Sequence, residues 1–144
     1  MKSEGRVLGV DLGTKRVGVA VSDPTRTLAT PLPTLRRRAG QRPPLKALEA
    51  LGREWSVTDV VVGLPLELSG KESPWTHEVR RVGEALGARL VVPVHFEDER
   101  LTSVQAEKAV RSMGLPKGQR EQRERVDAGA AVLILQRWLD GAKR

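Results

Sequence analysis

An α/β layered fold on a mixed sheet follows from three features of the sequence. Two or three strand-like segments come first, ending near Leu35, and strand and helix patterns then alternate to the end of the chain. The run Asp59-Val60-Val61-Val62-Gly63 is apolar without alternation, the pattern of a strand covered on both faces. With 144 residues and a hydrophobic fraction of 39%, the chain suits one compact domain, 1–144, with a single core.

Residues 6 to 22 predict a strand, a tight glycine turn at Gly13-Thr14-Lys15 and a second strand. Leu28 to Leu35 predicts a weaker third, and Pro31 and Pro33 argue for an edge or a strand end. A helix is expected from about Pro43 to Trp55, where Leu45, Leu48, Leu51 and Trp55 recur at helical spacing and the two prolines suit the first turn. The apolar strand at 59–63 empties into a loop, Gly63 to Lys71. Ser73 then offers an N-cap with Pro74 at the first helical position, and Gly87 is expected to end that helix after Leu86. Leu90 to Val94 predicts the fifth strand. Thr102 and Gln105 have capping-box spacing for a helix to about Met113, Leu115 to Arg125 is expected as a basic loop, and the last helix as Val126 to Leu139.

Composition narrows the function. No cysteine is present, which excludes disulfides, thiolate metal sites and a thiol nucleophile and fits a reducing cytosol. There is no apolar run of membrane-spanning length, so a cytoplasmic protein without a membrane partner is expected. Lysine and arginine total 25 against 18 acids, a formal charge of +7 with a sequence pI near 10.5, which favours polyanionic partners. The positive charge gathers at Arg36-Arg37-Arg38, Arg42, Lys46 and Arg53, and again at Lys117, Arg120, Arg123 and Arg125. Aromatics are few and scattered, so nucleic acid would be recognised through shape and phosphate rather than by base stacking.

Against this basic background, acids stand at element ends. Asp11 closes the apolar run Val7 to Val10, where an ionised carboxylate costs several kcal/mol unless a cation or hydrogen bonds compensate it. Glu97, Asp98 and Glu99 follow the fifth strand, and Asp127 shares a helix face with Ala130, Ala131, Ile134, Leu135 and Trp138. Each has an ordinary alternative: Asp11 as a turn residue bonding its own loop, the others as acids favoured near helix N-termini. Strand ends of an α/β sheet are, however, where sites form. Carboxylates brought together there need a divalent cation, and oxygen-only ligation selects Mg²⁺ or Mn²⁺. His77 and His95 lie far apart and match no ligand motif; His95 is expected to serve structure or substrate contact, and His77 an exposed helix face.

Gly9-Val10-Asp11-Leu12-Gly13-Thr14-Lys15-Arg16-Val17-Gly18-Val19-Ala20, Val62-Gly63-Leu64-Pro65, Asp98-Glu99-Arg100-Leu101-Thr102-Ser103 and Val126-Asp127 with Ala130 to Gln136 together resemble the YqgF/RuvX family. That is a family of RNase H-like proteins assigned as Holliday-junction resolvases, and the resemblance runs in order over nearly the whole chain. It implies an RNase H-like fold with a mixed five-stranded sheet flanked by helices, and nuclease activity with Asp11, Glu99 and Asp127 as metal ligands and catalytic acids. It also implies one of two substrates, a precursor of the small-subunit ribosomal RNA or branched DNA, and leaves the choice open. Gly129 inside the last motif and the arginine-rich stretch 120–125 depart from the family pattern.

In the expected mechanism Asp11 bridges the ions, Glu99 and Asp127 complete their ligation, and water attacks phosphorus in line. Lys15 and Arg100 are expected to hold phosphates or orient carboxylates. Ser69 and Lys71, with the backbone of the 63–71 loop, are expected to meet the substrate backbone. A resolvase cutting two symmetric strands favours a homodimer. Two other readings compete. Asp-Leu-Gly-Thr-Lys also resembles the first phosphate loop of actin-like and sugar-kinase ATPases, which need two such domains, and neither glycine loop has Walker A spacing. The other is a non-catalytic nucleic-acid-binding module that keeps the fold.

Overall fold

β1 (Val7–Leu12) is buried at every position and turns tightly into β2 (Arg16–Ser22), which pairs with it antiparallel. The turn depends on Gly13, whose N–H donates to the Arg16 carbonyl at 2.9 Å; a Cβ there would lie 2.6 Å from that oxygen. β3 (Ala29–Arg36) continues the meander as an edge strand carrying Pro31 and Pro33, as expected. These elements belong to a computed structural model that describes residues 5–37, 43–101 and 120–142, with backbone alone at 101 and 120–128.

After α1 (Leu45–Glu54) the chain re-enters the sheet as β4 (Asp59–Leu64), parallel to β1. α2 (Pro74–Leu90) crosses back to β5 (Val94–Asp98), parallel to β4, and a short 3₁₀ turn, Glu99–Leu101, follows. The sheet is mixed and five-stranded, in the order β3-β2-β1-β4-β5. Strand alternation sorts the core into two layers. Leu8, Val10, Val60 and Val62 face α1 and α2, packing with Leu48, Val79, Val82 and Leu86. Val7, Ala20, Ala29 and Val61 face α3 (Arg120–Ala142), against Ala130, Ala131, Ile134, Leu135 and Leu139. Gly9 lets that helix come close, because a Cβ there would sit 2.8 Å from the Leu135 Cβ.

Several boundaries differ from expectation. α2 continues past Gly87 to Leu90, so Leu90 is helical and β5 starts at Val94. Gly87 is a packing position rather than a stop: a Cβ there would approach the Val94 side chain to 2.2 Å. The helix ends instead at Val91, in the left-handed region with φ 57. Its N-terminus is as expected, with Ser73 capping Thr76 in a reciprocal box and Pro74 opening the helix. Residues 120–125, expected as loop, begin α3; they contain neither glycine nor proline and are rich in good helix formers. The helix expected at 102–113 and the start of the following loop lie outside the described residues. Among those described, no helix is long and apolar enough to cross a membrane.

Candidate active site

β1, β4 and β5 run parallel, so their carboxyl ends share one edge of the sheet, and the Gly13–Lys15 turn, the 65–73 loop and Glu99 all issue from it. Asp11 is inside β1 rather than beyond its end, and is only 2% exposed. It alternates with Val7 and Gly9 and so stands on the α3 side of the sheet. Val10 pairs with Val62, which puts Asp11 beside Gly63 on the next strand, one strand spacing of about 5 Å away.

Glu99 arrives at the same place from β5. It too is 2% exposed, and its Oε1 lies 2.8 Å from where a Cβ of Gly63 would be, with the Ile134 Cδ1 2.4 Å from the same point. The absent side chain of Gly63 thus makes the space in which the Glu99 carboxylate lies between sheet and helix. Sequence reasoning treated Gly63 as the end of a strand; an isolated glycine within an apolar strand is the signal for such close approach. Two acids expected to act together are therefore buried around one glycine.

A third acid of the sheet edge was noticed only as part of a run. Glu97 pairs with Gly63 in register and meets Arg137 of α3, Oε2 to Nε 3.1 Å. Burial raises its pKa above the ordinary carboxylate value, while the Arg137 guanidinium pulls the other way. Asp98 points elsewhere, into the fork of Arg100, at 3.1 Å from Nε and 2.7 Å from Nη2. Hydrogen bonds from that guanidinium hold the Asp98 carboxyl below its usual range. Arg100, expected to hold phosphate or orient a carboxylate, orients Asp98 and also donates to the Leu68 carbonyl at 2.9 Å.

Lys15 is exposed in the β1–β2 turn, its carbonyl accepting from the Arg37 N–H at 2.8 Å. Arg37 braces that turn, donating to the Gly13 carbonyl at 3.2 Å and reaching Glu78 of α2 at 3.2 Å. Ser69 and Lys71 are exposed in the loop after β4, where the Lys71 N–H donates to Ser69 Oγ at 3.4 Å. The four expected substrate contacts, Lys15, Ser69, Lys71 and Arg100, thus lie at the edge that holds Asp11 and Glu99. His95 lies at the opposite edge: its Nε2 is 2.8 Å from Asp59, and its ring is 4.7 Å from that of Trp138. His77 is exposed on α2, as expected. Asp127 is within α3, but its side chain lies outside the described residues. Among the described residues no group of three or more acids or histidines is placed to hold a metal ion. The donors present at the site are carboxylate oxygens, which suit a hard divalent cation.

Residues 5–141 match the family model for RuvX, Holliday junction resolvase. A relative from Mycobacterium sp. (strain KMS), provisionally named a pre-16S rRNA nuclease, is 46% identical over 138 residues, covering 94% of this chain and 80% of its own. One of the same provisional name from Anaeromyxobacter sp. (strain K) is 46% identical over 135 residues, covering 94% of this chain and 96% of its own. Among solved structures, Thermus thermophilus RuvC in complex with a Holliday junction substrate superposes with a TM-score of 0.56 at 14% identity, over 96% of each chain. That likeness is one of fold, RNase H-like.

Proposed function

The chain belongs to the RuvX Holliday junction resolvase family, and on that footing we propose that it is a divalent-metal-dependent nuclease that hydrolyses phosphodiester bonds at the Asp11–Glu99 edge of the sheet. The observation that carries the reading is the burial of two carboxylates, each 2% exposed, around the single glycine Gly63. Such a pair is costly in a fold and is what a cation-binding site requires. Asp127 supplies the third ligand. The run of α3 supports this: Trp138 stands by His95 near the start of β5 and Ile134 by Gly63 near the end of β4, so earlier residues of the helix lie toward the site. Position 127 comes seven residues, two turns, before Ile134 on the same face.

Mg²⁺ or Mn²⁺ held there supplies Lewis-acid activation of water and neutralises charge on the reacting phosphate. The protein's own part is to hold the carboxylates at fixed spacing, exclude bulk water with Ile134, and bring the phosphates in over Lys15, Ser69, Lys71 and Arg100. The names of the relatives favour precursor 16S rRNA as the substrate, and the family name favours the branched DNA of a Holliday junction. A homodimer would serve the second, because two symmetric cuts need two sites.

The deciding experiment is cleavage of end-labelled four-way DNA junctions, single-stranded DNA and precursor ribosomal RNA with Mn²⁺, Mg²⁺ or chelator, comparing the wild type with Asp11→Asn. Metal-dependent cutting that disappears in the variant is expected, and the preferred substrate assigns the role. Binding without cutting of any substrate would replace the nuclease by a nucleic-acid-binding module.

A further inference from the structure

Among the described residues the exposed large apolar side chains are Leu28, Leu68 and Val91, at 63%, 86% and 87%. Leu28 enters β3 and Val91 precedes β5, so both belong to the edge of the sheet opposite the site. Leu68 alone stands at the site edge, at the tip of the loop after β4. Single exposed leucines are common on protein surfaces, and what distinguishes this one is how firmly it is held. The loop closes on itself, with the Gly70 N–H donating to the Glu67 carbonyl at 2.8 Å and the Glu67 N–H to the Lys71 carbonyl at 3.0 Å. Arg100 then fixes the tip, donating to the Leu68 carbonyl at 2.9 Å while its guanidinium lies over Gly70. The same guanidinium grips Asp98, the residue before Glu99, so Leu68 is tied to the buried carboxylate through one side chain. Ser69 and Lys71, exposed on either side of Gly70, offer polar and positive groups beside the apolar tip.

An apolar side chain presented on a rigid loop, rimmed by groups that suit phosphate, is the form of a wedge that enters a nucleic-acid base stack. We propose that Leu68 inserts between bases next to the scissile phosphate, so that the protein acts on nucleic acid whose stack is already interrupted, at a branch, bulge or single-strand boundary, in preference to continuous duplex. The preference has a physical source: opening an intact step costs stacking, and an interrupted step has lost part of it already. The proposal rests on the nuclease reading for the identity of the substrate, but its own observable is base unstacking, which does not need cleavage.

The test places 2-aminopurine at successive positions of bulged, branched and fully paired substrates. Fluorescence is read with Asp11→Asn protein, and with the same variant carrying Leu68→Ala or Leu68→Phe. A rise at one position of the interrupted substrates is expected, absent with Leu68→Ala and restored with Leu68→Phe. In the otherwise wild-type chain, Leu68→Ala is expected to lower kcat/KM on the bulged substrate on the order of tenfold and so to lower the ratio of bulged to paired cleavage. Melting of Leu68→Ala at the wild-type temperature checks the fold. Equal fluorescence in the Leu68 variants, or an unchanged ratio of bulged to paired cleavage, would overturn the wedge while leaving the nuclease standing. Absence of cleavage by the wild type would overturn the nuclease reading, and the fluorescence series would still decide whether Leu68 enters the stack.

Discussion

Gly63→Ala puts one methyl group where the structure has least room for it. The added Cβ would lie 2.4 Å from Ile134 Cδ1, 2.8 Å from Glu99 Oε1 and 3.2 Å from Glu99 Cγ, so α3 must lift or the carboxylate must move. Overpacking of this kind costs about 1–3 kcal/mol. With an unfolding entropy of about 2.1 cal/mol/K per residue, a chain of 144 residues loses about 3–10 °C in melting temperature. Gly9→Ala is the matched control, since its Cβ would meet the Leu135 Cβ at 2.8 Å and the Ala131 carbonyl at 3.3 Å, on the same helix but away from Glu99. Both variants should melt lower by circular dichroism. Only Gly63→Ala should also displace the Glu99 carboxylate, and if Glu99 holds the metal as proposed its cleavage rate should fall at least about tenfold below that of Gly9→Ala, since a misplacement of about 1 Å can cost about a hundredfold. Equal rates in the two variants would refute the placement of Glu99 in the site; an unchanged melting temperature for Gly63→Ala would refute the packing.

Val91→Gly relieves a β-branched residue held at φ 57 and should raise stability by about 1 kcal/mol, read as a melting point about 3 °C higher. Asp59 is partly buried, which pushes its carboxyl up, but hydrogen bonds from His95 and Arg26 hold it on balance below the usual 3.8. A depressed carboxylate stabilises the fold above its unfolded value and loses that contribution as pH falls through its folded value. Asp59→Asn should therefore cost about 2 kcal/mol at pH 7, and its urea midpoint should begin to approach the wild type only below the usual 3.8 and meet it once pH has fallen through the lower folded value. Arg100→Lys keeps the charge but loses the fork that spans Asp98 and the Leu68 carbonyl. Amide exchange in the 66–71 loop should quicken; unaltered exchange would show that the loop holds itself.

Much of the fold was legible because its signals are local. The Gly13 turn, the apolar run of β4, the Ser73-Pro74 start of α2 and the prolines of β3 each announce an element within a few residues. Asp11 and Glu99 were legible as acids at strand ends, and the family motifs singled them out. What escaped was set by distant partners. Gly87 reads as a helix stop from its neighbours, yet it is a contact surface for Val94, seven residues on and in another element. Gly63 reads as turn chemistry until Glu99 and Ile134 close over it. The pair Glu97–Arg137 spans forty residues, and the Arg26–Asp59–His95 network joins three segments, so no window of sequence contains either. His95 was expected in structure or at the substrate, and its hydrogen bond with Asp59 favours the first.

The two carboxylates are enclosed by elements from opposite ends of the sequence. Asp11 lies on the first strand, within a meander whose contacts are short-range and quick to form, while the helix over it is the last described element of the chain. During synthesis the meander and the β4–α2–β5 crossover can assemble while residues 120–142 are still unmade, leaving Val7, Ala20 and Val61 facing water beside an exposed acid. A nascent chain of this kind has its carboxylates but no roof over them. Enclosure of Asp11 and Glu99 therefore waits on the folding of residues 120–142 over the sheet, a delay written into the order of the elements.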